Sequence, residues 1–385
     1  MNEWLHHICE EIGSEDSAPP SYLLRFASED TYRKCLAERD RLLPALPQLA
    51  RLKPIGLIRG FSCPLISPSK LARGRGIVTI EPDEKHALVH GLAEFASKPS
   101  AGSLHVSGRY WIPWGVKEIK APSVWNRSKG NAVRIGVIDT GIDYNHPDLK
   151  AAAIGGVNLV HRHLPPIDDN GHGTHIAGTI AAASERLGII GVAPGAHIYA
   201  VKAFDHNGTA FVSDIVYGID WCVRNRMNII NMSFGMKTPS KALQDAVKAA
   251  YRAGTIVVAS SGNEGKLGEI DFPARFPCTI AVGATSRQKK IAPFSNRGRK
   301  VDLYAPGHKI VSTWLGGKYH EMSGTSMATS HVSGVIALML SLRPGLTPRA
   351  IKEILLKQAT DLPSGKRSSS AGEVNALLSV QSALG

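Results

Sequence analysis

The sequence predicts an α/β protein: a doubly wound, mostly parallel sheet with helices on both faces, preceded by a small α+β N-terminal domain. Three observations carry this. From residue 133 onward, apolar runs such as "VRIGVID", "IINMSFG", "TIVVASSGN" and "CTIAVGAT" recur. Strands apolar along both faces belong to parallel sheets covered on both sides. Between these runs lie stretches with helical apolar spacing, so strand and helix alternate. Finally, residues 1–105 carry 13 basic and 13 acidic side chains, and the remainder 32 and 19. The whole formal net charge of +13 therefore sits in 106–385. A division near residue 105 follows, with 1–105 and 106–385 as the two units.

Taken in order, "SYLLRF" predicts a strand. "TYRKCLAERDRLL" predicts a helix with Tyr32, Cys35, Leu36, Leu42 and Leu43 on one side, and "IGLIRGF" and "GIVTIEP" predict further strands. "SKPSAGSLHVSG", 97–108, has linker composition. In the second unit, "VRIGVID", "HIYAVKAF", "IINMSFG", "TIVVASSGN", "CTIAVGAT" and "VDLYAPG" predict the sheet. "FVSDIVYGIDWCVRNR" carries Val212, Ile215, Val216, Ile219 and Val223 on one stripe. "SKALQDAVKAAYRAG" has Ser240 to cap its start and Gly254 its end. "TPRAIKEILLKQA" opens with Thr347 as cap and Pro348 at the first helical position.

The totals exclude several classes. No apolar run approaches the ~20 residues that span a bilayer. The first residues, "MNEWLHHICEEIGSED", lack the basic and apolar regions of a secretory signal, so the expected location is cytoplasmic, with export by another route as the alternative. The five cysteines are widely spaced with no C-x-x-C pair, which disfavours a disulfide framework or a zinc site. The basic runs "RQKK" and "NRGRK" lack interleaved aromatics and are expected as solvated faces rather than a nucleic-acid surface.

Ligands of open α/β sheets lie beyond the C-terminal ends of the strands, so candidate chemistry is sought there. Asp139 ends "VRIGVID". The triplet D-T-G occurs once, whereas an aspartic protease needs two such carboxylates. His172 lies in "DDNGHGTHIAGT"; His172 and His175 at helical spacing also suit a metal pair, but the H-E-x-x-H glutamate is absent. Asn263, in "ASSGNEG", offers an amide donor just past a strand, of the kind that stabilises a developing oxyanion by ~3 kcal/mol. Ser326, in "MSGTSMATSHVSG", sits where a glycine-containing turn meets a long apolar helix, whose field favours negative charge near its oxygen. Neither G-x-G-x-x-G nor a P-loop is present, which sets aside a nucleotide-binding α/β protein.

The order Asp139, His172, Ser326 differs from the chymotrypsin-type and α/β-hydrolase orders and is the one found in subtilisin. "VIDTGID", "HGTHIAGT" and "GTSMATSHVSG" resemble the three signature blocks of the subtilisin-like serine proteases, the subtilases. The likeness runs from Pro113 to the C-terminus. The resemblance implies a serine endopeptidase with Asp139 as orienting acid, His172 as base, Ser326 as nucleophile and Asn263 in the oxyanion hole. It implies two edge segments that pair with substrate: Ser233, Phe234 and Gly235, and Gly208, Thr209 and Ala210. Ser260 and Gly262 are expected to line the pocket for the residue before the cut. That pocket shows no obvious acid, so large apolar residues are expected there. A catalytically inactive relative that binds peptides is the alternative.

The family also implies a structural Ca²⁺, held here by Asp148, Glu185 and the carbonyls of Ala183, Leu187 and Ile189. It implies that residues 1–105 act as a pro-domain, an intramolecular inhibitor released by self-cleavage in the linker. Protein or peptide substrates are the expected partners, with neither nucleic acid nor membrane, and the chain is expected to be a monomer. One departure stands out. Ser330 occupies a position where the family usually has proline, which restores an N–H donor four residues after Ser326.

Overall fold

A computed structural model describes residues 2–12, 19–71, 77–88, 111–184, 188–363 and 371–384. The linker 97–108, the expected self-cleavage segment, and the expected calcium ligands Glu185 and Leu187 lie outside the described residues.

The N-terminal unit contains α1 (Asn2–Glu11), β1 (Ser21–Phe26), α2 (Glu29–Leu42), β2 (Lys53–Ile55), β3 (Gly60–Pro64), α3 (Pro68–Leu71), β4 (Ile77–Pro82) and β5 (Lys85–Ala87). Ser28 caps α2, its Oγ accepting the Thr31 N–H at 3.1 Å. An antiparallel sheet in the order β2-β3-β1-β4 packs against the helices. Leu5, Ile8, Leu24, Phe26 and Phe61 form its core. The expected single strand "IGLIRGF" is broken: Gly56–Ile58 form a 3₁₀ turn and Arg59 takes a left-handed φ of 53°. The break has a tertiary cause. Ile55 and Ile58 bury against the second unit, and the Leu57 N–H reaches Asp220 Oδ1 there at 3.2 Å.

The second unit runs α4 (Trp114–Glu118), β6 (Arg134–Asp139), β7 (Ala153–Asn158), α5 (His172–Ala181), β8 (His197–Lys202), β9 (Thr209–Phe211), α6 (Val212–Arg224), β10 (Ile229–Met232) and α7 (Lys241–Arg252). It continues with β11 (Ile256–Ser260), β12 (Thr279–Thr285), β13 (Leu303–Pro306), β14 (Ile310–Trp314), β15 (Lys318–Met322), α8 (Thr325–Leu342), α9 (Pro348–Lys357) and α10 (Ala376–Leu384). Seven strands form one sheet, order β13-β12-β11-β10-β6-β8-β7, with every pairing parallel. The doubly wound architecture expected from the apolar runs is present.

Neighbouring residues alternate between the two faces, as strand geometry requires. Val137, Val258, Ile280 and Val282 join α5, α8 and α10 in one core. Ile138, Val257, Ala259 and Ala281 join α6 and α7 in the other. The expected caps form: Ser240 Oγ accepts the Leu243 N–H at 3.1 Å, and Thr347 Oγ1 accepts the Ala350 N–H at 3.2 Å. Of the described helices, only α8 is long and apolar enough to cross a membrane. Here 89% of that window is buried, and α8 is the central core helix.

Candidate active site

Asp139 ends β6, at the middle of the sheet, and His172 begins α5. Ser326 is the second residue of α8, after the turn at Gly324. All three lie where the topology places ligands, beyond the C-terminal ends of the strands.

His172 Nδ1 lies 2.7 Å from Asp139 Oδ1, which also accepts the Thr140 N–H at 2.8 Å. The acid is fully buried and the imidazole is 3% exposed. A carboxylate acceptor at Nδ1 requires the proton there, which leaves Nε2 as the basic nitrogen. Nε2 has no hydrogen-bond partner among the described residues. Burial, the largest single influence, pulls the His172 pKa down. The charge and hydrogen bond of Asp139, with the charge of Asp168, outweigh it, and the net shift is upward.

Ser326 Oγ donates to the Ser233 carbonyl at 3.0 Å, not to His172. Catalytic hydrogen bonds are often unformed without substrate and tighten in the complex. Asn263 is clamped by its carbonyl end: Oδ1 accepts the Thr325 N–H at 2.9 Å and the Thr325 hydroxyl at 2.8 Å. The amide nitrogen is thereby turned away from Thr325.

Sequence reasoning missed the groups that hold this arrangement. Asp168 is 5% exposed. One oxygen accepts the Thr140 hydroxyl at 2.8 Å and the Asn170 and Gly171 N–H groups at 3.0 Å. The other accepts the Thr174 N–H at 2.9 Å and the Thr174 hydroxyl at 2.6 Å. It therefore caps α5 in place of an N-cap side chain and ties the helix to the turn after Asp139. Gly171 takes φ 108°, with the Trp314 ring packed where a Cβ would lie. Lys202, 2% exposed, donates to the Thr140 carbonyl at 2.5 Å and to Asp169 at 2.6 Å. A lysine inside the apolar run "HIYAVKAF" was the available signal. His175 is structural: its Nε2 meets the Ile310 and His320 carbonyls at 3.0 and 3.1 Å, and burial pushes its pKa down to about 3.

The two expected substrate edges differ in their pairing. Ser233–Gly235 follow β10 directly. The other edge, Gly208, Thr209 and Ala210, is already paired by this chain's own N-terminal unit. There β5 runs antiparallel to β9, with Lys85 opposite Phe211, His86 opposite Ala210 and Ala87 opposite Thr209. The Leu88 N–H adds a bond to the Gly208 carbonyl at 2.7 Å.

Beside Gly262, where the sequence showed no obvious acid, lies Asp271. Ser260 is fully buried and spends its hydroxyl on the Phe234 carbonyl at 3.1 Å. Gly262, at φ 106°, faces a carboxylate: a Cβ there would lie 2.6 Å from Asp271 Oδ2. Eight residues of intervening chain hid this neighbour from the sequence.

Ala183 and Ile189, two of the residues expected to bind calcium, both meet Asp148. The Ala183 N–H meets the Asp148 carbonyl at 2.8 Å, and the Ile189 N–H meets its carboxylate at 2.8 Å. The Tyr319 hydroxyl takes the same carboxylate oxygen at 2.8 Å. Among the described residues no group of three or more His, Cys, Asp or Glu is placed to hold a metal.

A parallel sheet with Asp, His and Ser at its C-terminal edge, in that chain order, defines a subtilisin-type serine protease. The chain matches the model of the subtilase family over residues 130–373, and it belongs to that family. It is 43% identical to subtilisin E of Bacillus subtilis (strain 168) over 265 residues, 67% of this chain and 69% of that protein. It is 44% identical to the subtilisin of Bacillus pumilus over 258 residues, 66% of this chain and 93% of that protein. To subtilisin Savinase of Lederbergia lenta it is 43% identical over 254 residues, 66% and 93% of the two chains. The chain is a hydrolase of the subtilisin type. The cytoplasmic location expected from its first residues is corrected by these relatives, because subtilisins are extracellular proteases.

Proposed function

We propose that the chain is a serine endopeptidase acting through Ser326, His172 and Asp139, with residues 1–105 as its intramolecular inhibitor. The buried 2.7 Å contact between His172 Nδ1 and Asp139 carries the first part of this reading. A serine hydroxyl is a poor nucleophile at its own pKa and needs a base. His172 Nε2 takes the proton from Ser326 Oγ as Oγ attacks the substrate carbonyl carbon. Asp139 holds the imidazole and stabilises the imidazolium. The oxyanion is met by the Asn263 amide nitrogen and the Ser326 backbone N–H. His172 then passes its proton to the leaving amine, the acyl-enzyme forms, and water releases it by the reverse sequence.

The inhibitor reading rests on how the N-terminal unit docks. β5 occupies the edge a substrate strand would use. Glu81 caps α7, accepting the Ser240 hydroxyl at 2.8 Å and the Lys241 and Ala242 N–H groups at 3.0 and 2.8 Å. Asp83 accepts the Ser213 N–H, at the start of α6, at 2.8 Å. Arg25 pairs with Asp245. Two carboxylates thus sit at two helix N-termini, where negative charge is favoured.

A structural Ca²⁺ is part of the proposal. Asp148 and the carbonyls of Ala183 and Ile189 would supply oxygen donors of the kind suited to a hard cation. Such an ion would tie these residues to Asp148, as their own N–H groups do.

A fluorophosphonate probe tests the enzyme reading. Covalent labelling that is lost in Ser326→Ala and strongly slowed in His172→Ala supports it. Absence of labelling in a folded chain, with peptides still bound, favours an inactive peptide-binding protein.

A further inference from the structure

Next to Asn263 lies a cavity of about 410 Å³, bordered by Gly235 and Lys237 on one side and by Asn263, Glu264 and Asp271 on the other, and covered by residues 86–88 of the N-terminal unit. This is within the size range of specific ligand pockets. Its position follows from the clamps already described. Gly235 lies two residues beyond Ser233, whose carbonyl holds Ser326 Oγ, and Asn263 is fixed by Thr325. A side chain next to the scissile carbonyl therefore enters here.

The floor is ionic. Asp271 is only 4% exposed as a residue, yet it faces the bare backbone of Gly262. Lys237 Nζ meets its two oxygens at 2.8 and 2.9 Å and reaches Glu264 at 2.6 Å. Two carboxylates thus share one ammonium, which leaves the cluster one negative charge in excess. The lysine side chain is 54% exposed and hangs from the rim just past the substrate edge, so it can leave the cluster for water. The acid cannot follow, being held inside.

We propose that this pocket selects a cationic side chain, Lys or Arg, at the residue before the cut, with Lys237 as the internal cation that the substrate displaces. The proposal rests on the endopeptidase reading above. A buried carboxylate must keep a cationic partner, because an unpaired buried charge is costly. A substrate guanidinium meets that need and makes paired, charge-assisted hydrogen bonds. A phenylalanine or leucine side chain in the same space leaves the Lys237–Asp271 pair in place and gains less. The preference for large apolar residues expected from the sequence is thereby reversed.

The test uses the full chain after release of its N-terminal unit, followed on a gel, and a peptide series differing only at that position: Arg, Lys, Phe, Leu. We expect kcat/KM for Arg and Lys to exceed that for Phe and Leu at least tenfold. Asp271→Asn should bring the Arg/Phe ratio down toward one, and Lys237→Ala should widen it by releasing the acid pair. The ratio is read within one preparation, so partial misfolding of Asp271→Asn does not alter it, and Lys237→Ala perturbs only an exposed side chain. A purely structural Asp271–Lys237 pair would lower stability in both variants while leaving the ratio fixed; that result overturns the proposal. Phe cleaved as fast as Arg by the parent chain also overturns it. Fluorophosphonate labelling of the same preparation separates the two levels: labelling with an inverted ratio rejects only the pocket assignment, and no labelling with no cleavage rejects both.

Discussion

Replacing Glu81 with alanine removes three hydrogen bonds to a carboxylate at the N-terminus of α7. Bonds to charged groups contribute about 1.5–3 kcal/mol each, and a carboxylate at a helix start adds about 0.3–1 kcal/mol. Simple addition overstates the loss. Glu81 is partly exposed, water can reach the freed N–H groups, and Ser240 still caps Leu243. A net cost of about 2–4 kcal/mol is the consistent figure, which converts to a weakening of docking by about 30- to 700-fold. The assay is hydrogen exchange in a Ser326→Ala background, which prevents self-cleavage. Protection at the Lys241 and Ala242 amides, and across β5, should fall by that factor. Glu81→Gln should fall less, since one acceptor remains. Glu84→Ala, one exposed acid away, should change little. In the active chain, Glu81→Ala should speed the appearance of activity. Unchanged protection at β5 in Glu81→Ala would refute the argument that the two helix caps hold the inhibitor in place.

Three further outcomes are expected. Burial, then the charge of Asp83, pushes the Asp214 carboxyl up to about 7 against Arg162 and Lys53. A carboxyl raised above its unfolded value near ~3.9 contributes stability that is complete below that value and lost as pH rises through about 7. The Tm of the Ser326→Ala chain should therefore fall between pH 5 and 8, and Asp214→Asn should flatten that slope; equal slopes would contradict it. Chelation should lower Tm if calcium is held: an ion at a hundred times its Kd contributes about 2.7 kcal/mol, or roughly 3–5 °C in a chain this size. No shift would remove calcium from the proposal. Ser330 lies in unbroken helix and donates to the Met327 carbonyl at 2.8 Å and the Ser326 carbonyl at 3.3 Å. Ser330→Pro should cost up to about 3 kcal/mol in stability while changing kcat/KM by less than about tenfold, because the histidine and oxyanion donors stay in place. A larger kinetic change would show that Ser330 positions the nucleophile.

Much of this protein was legible from local pattern. Runs apolar on both faces marked six of the seven strands of the sheet, because a strand covered twice must be apolar throughout. The seventh, β7, carries Gly155 and Gly156 and sits at the sheet edge, so it lacks that signal. The hairpin β14–β15 was also missed: half of its strand residues are polar, and Ser312 and Thr313 face α5 with their hydroxyls donated to the His175 and Thr174 carbonyls at 2.8 and 2.7 Å. The order and block context of Asp139, His172 and Ser326 named the chemistry, because motif residues sit next to their own turns and helix starts.

Whatever depends on distant chain meeting in space was decided by tertiary structure alone. Asp168 as the tie between α5 and Thr140, Asp271 beneath Gly262, and Glu81 and Asp83 on two helix ends are acids with no local signature for these roles. Each acquires its role from a partner that folding brings within hydrogen-bond reach. The sequence by itself determined that this is a subtilase, with Asp139, His172 and Ser326 in the chain order the proposed chemistry requires. Only the tertiary structure decided where its charged side chains are buried, since burial is a property of the packed neighbours and not of the residue. That burial places Asp271 beside Gly262, the observation on which the proposed cationic preference rests.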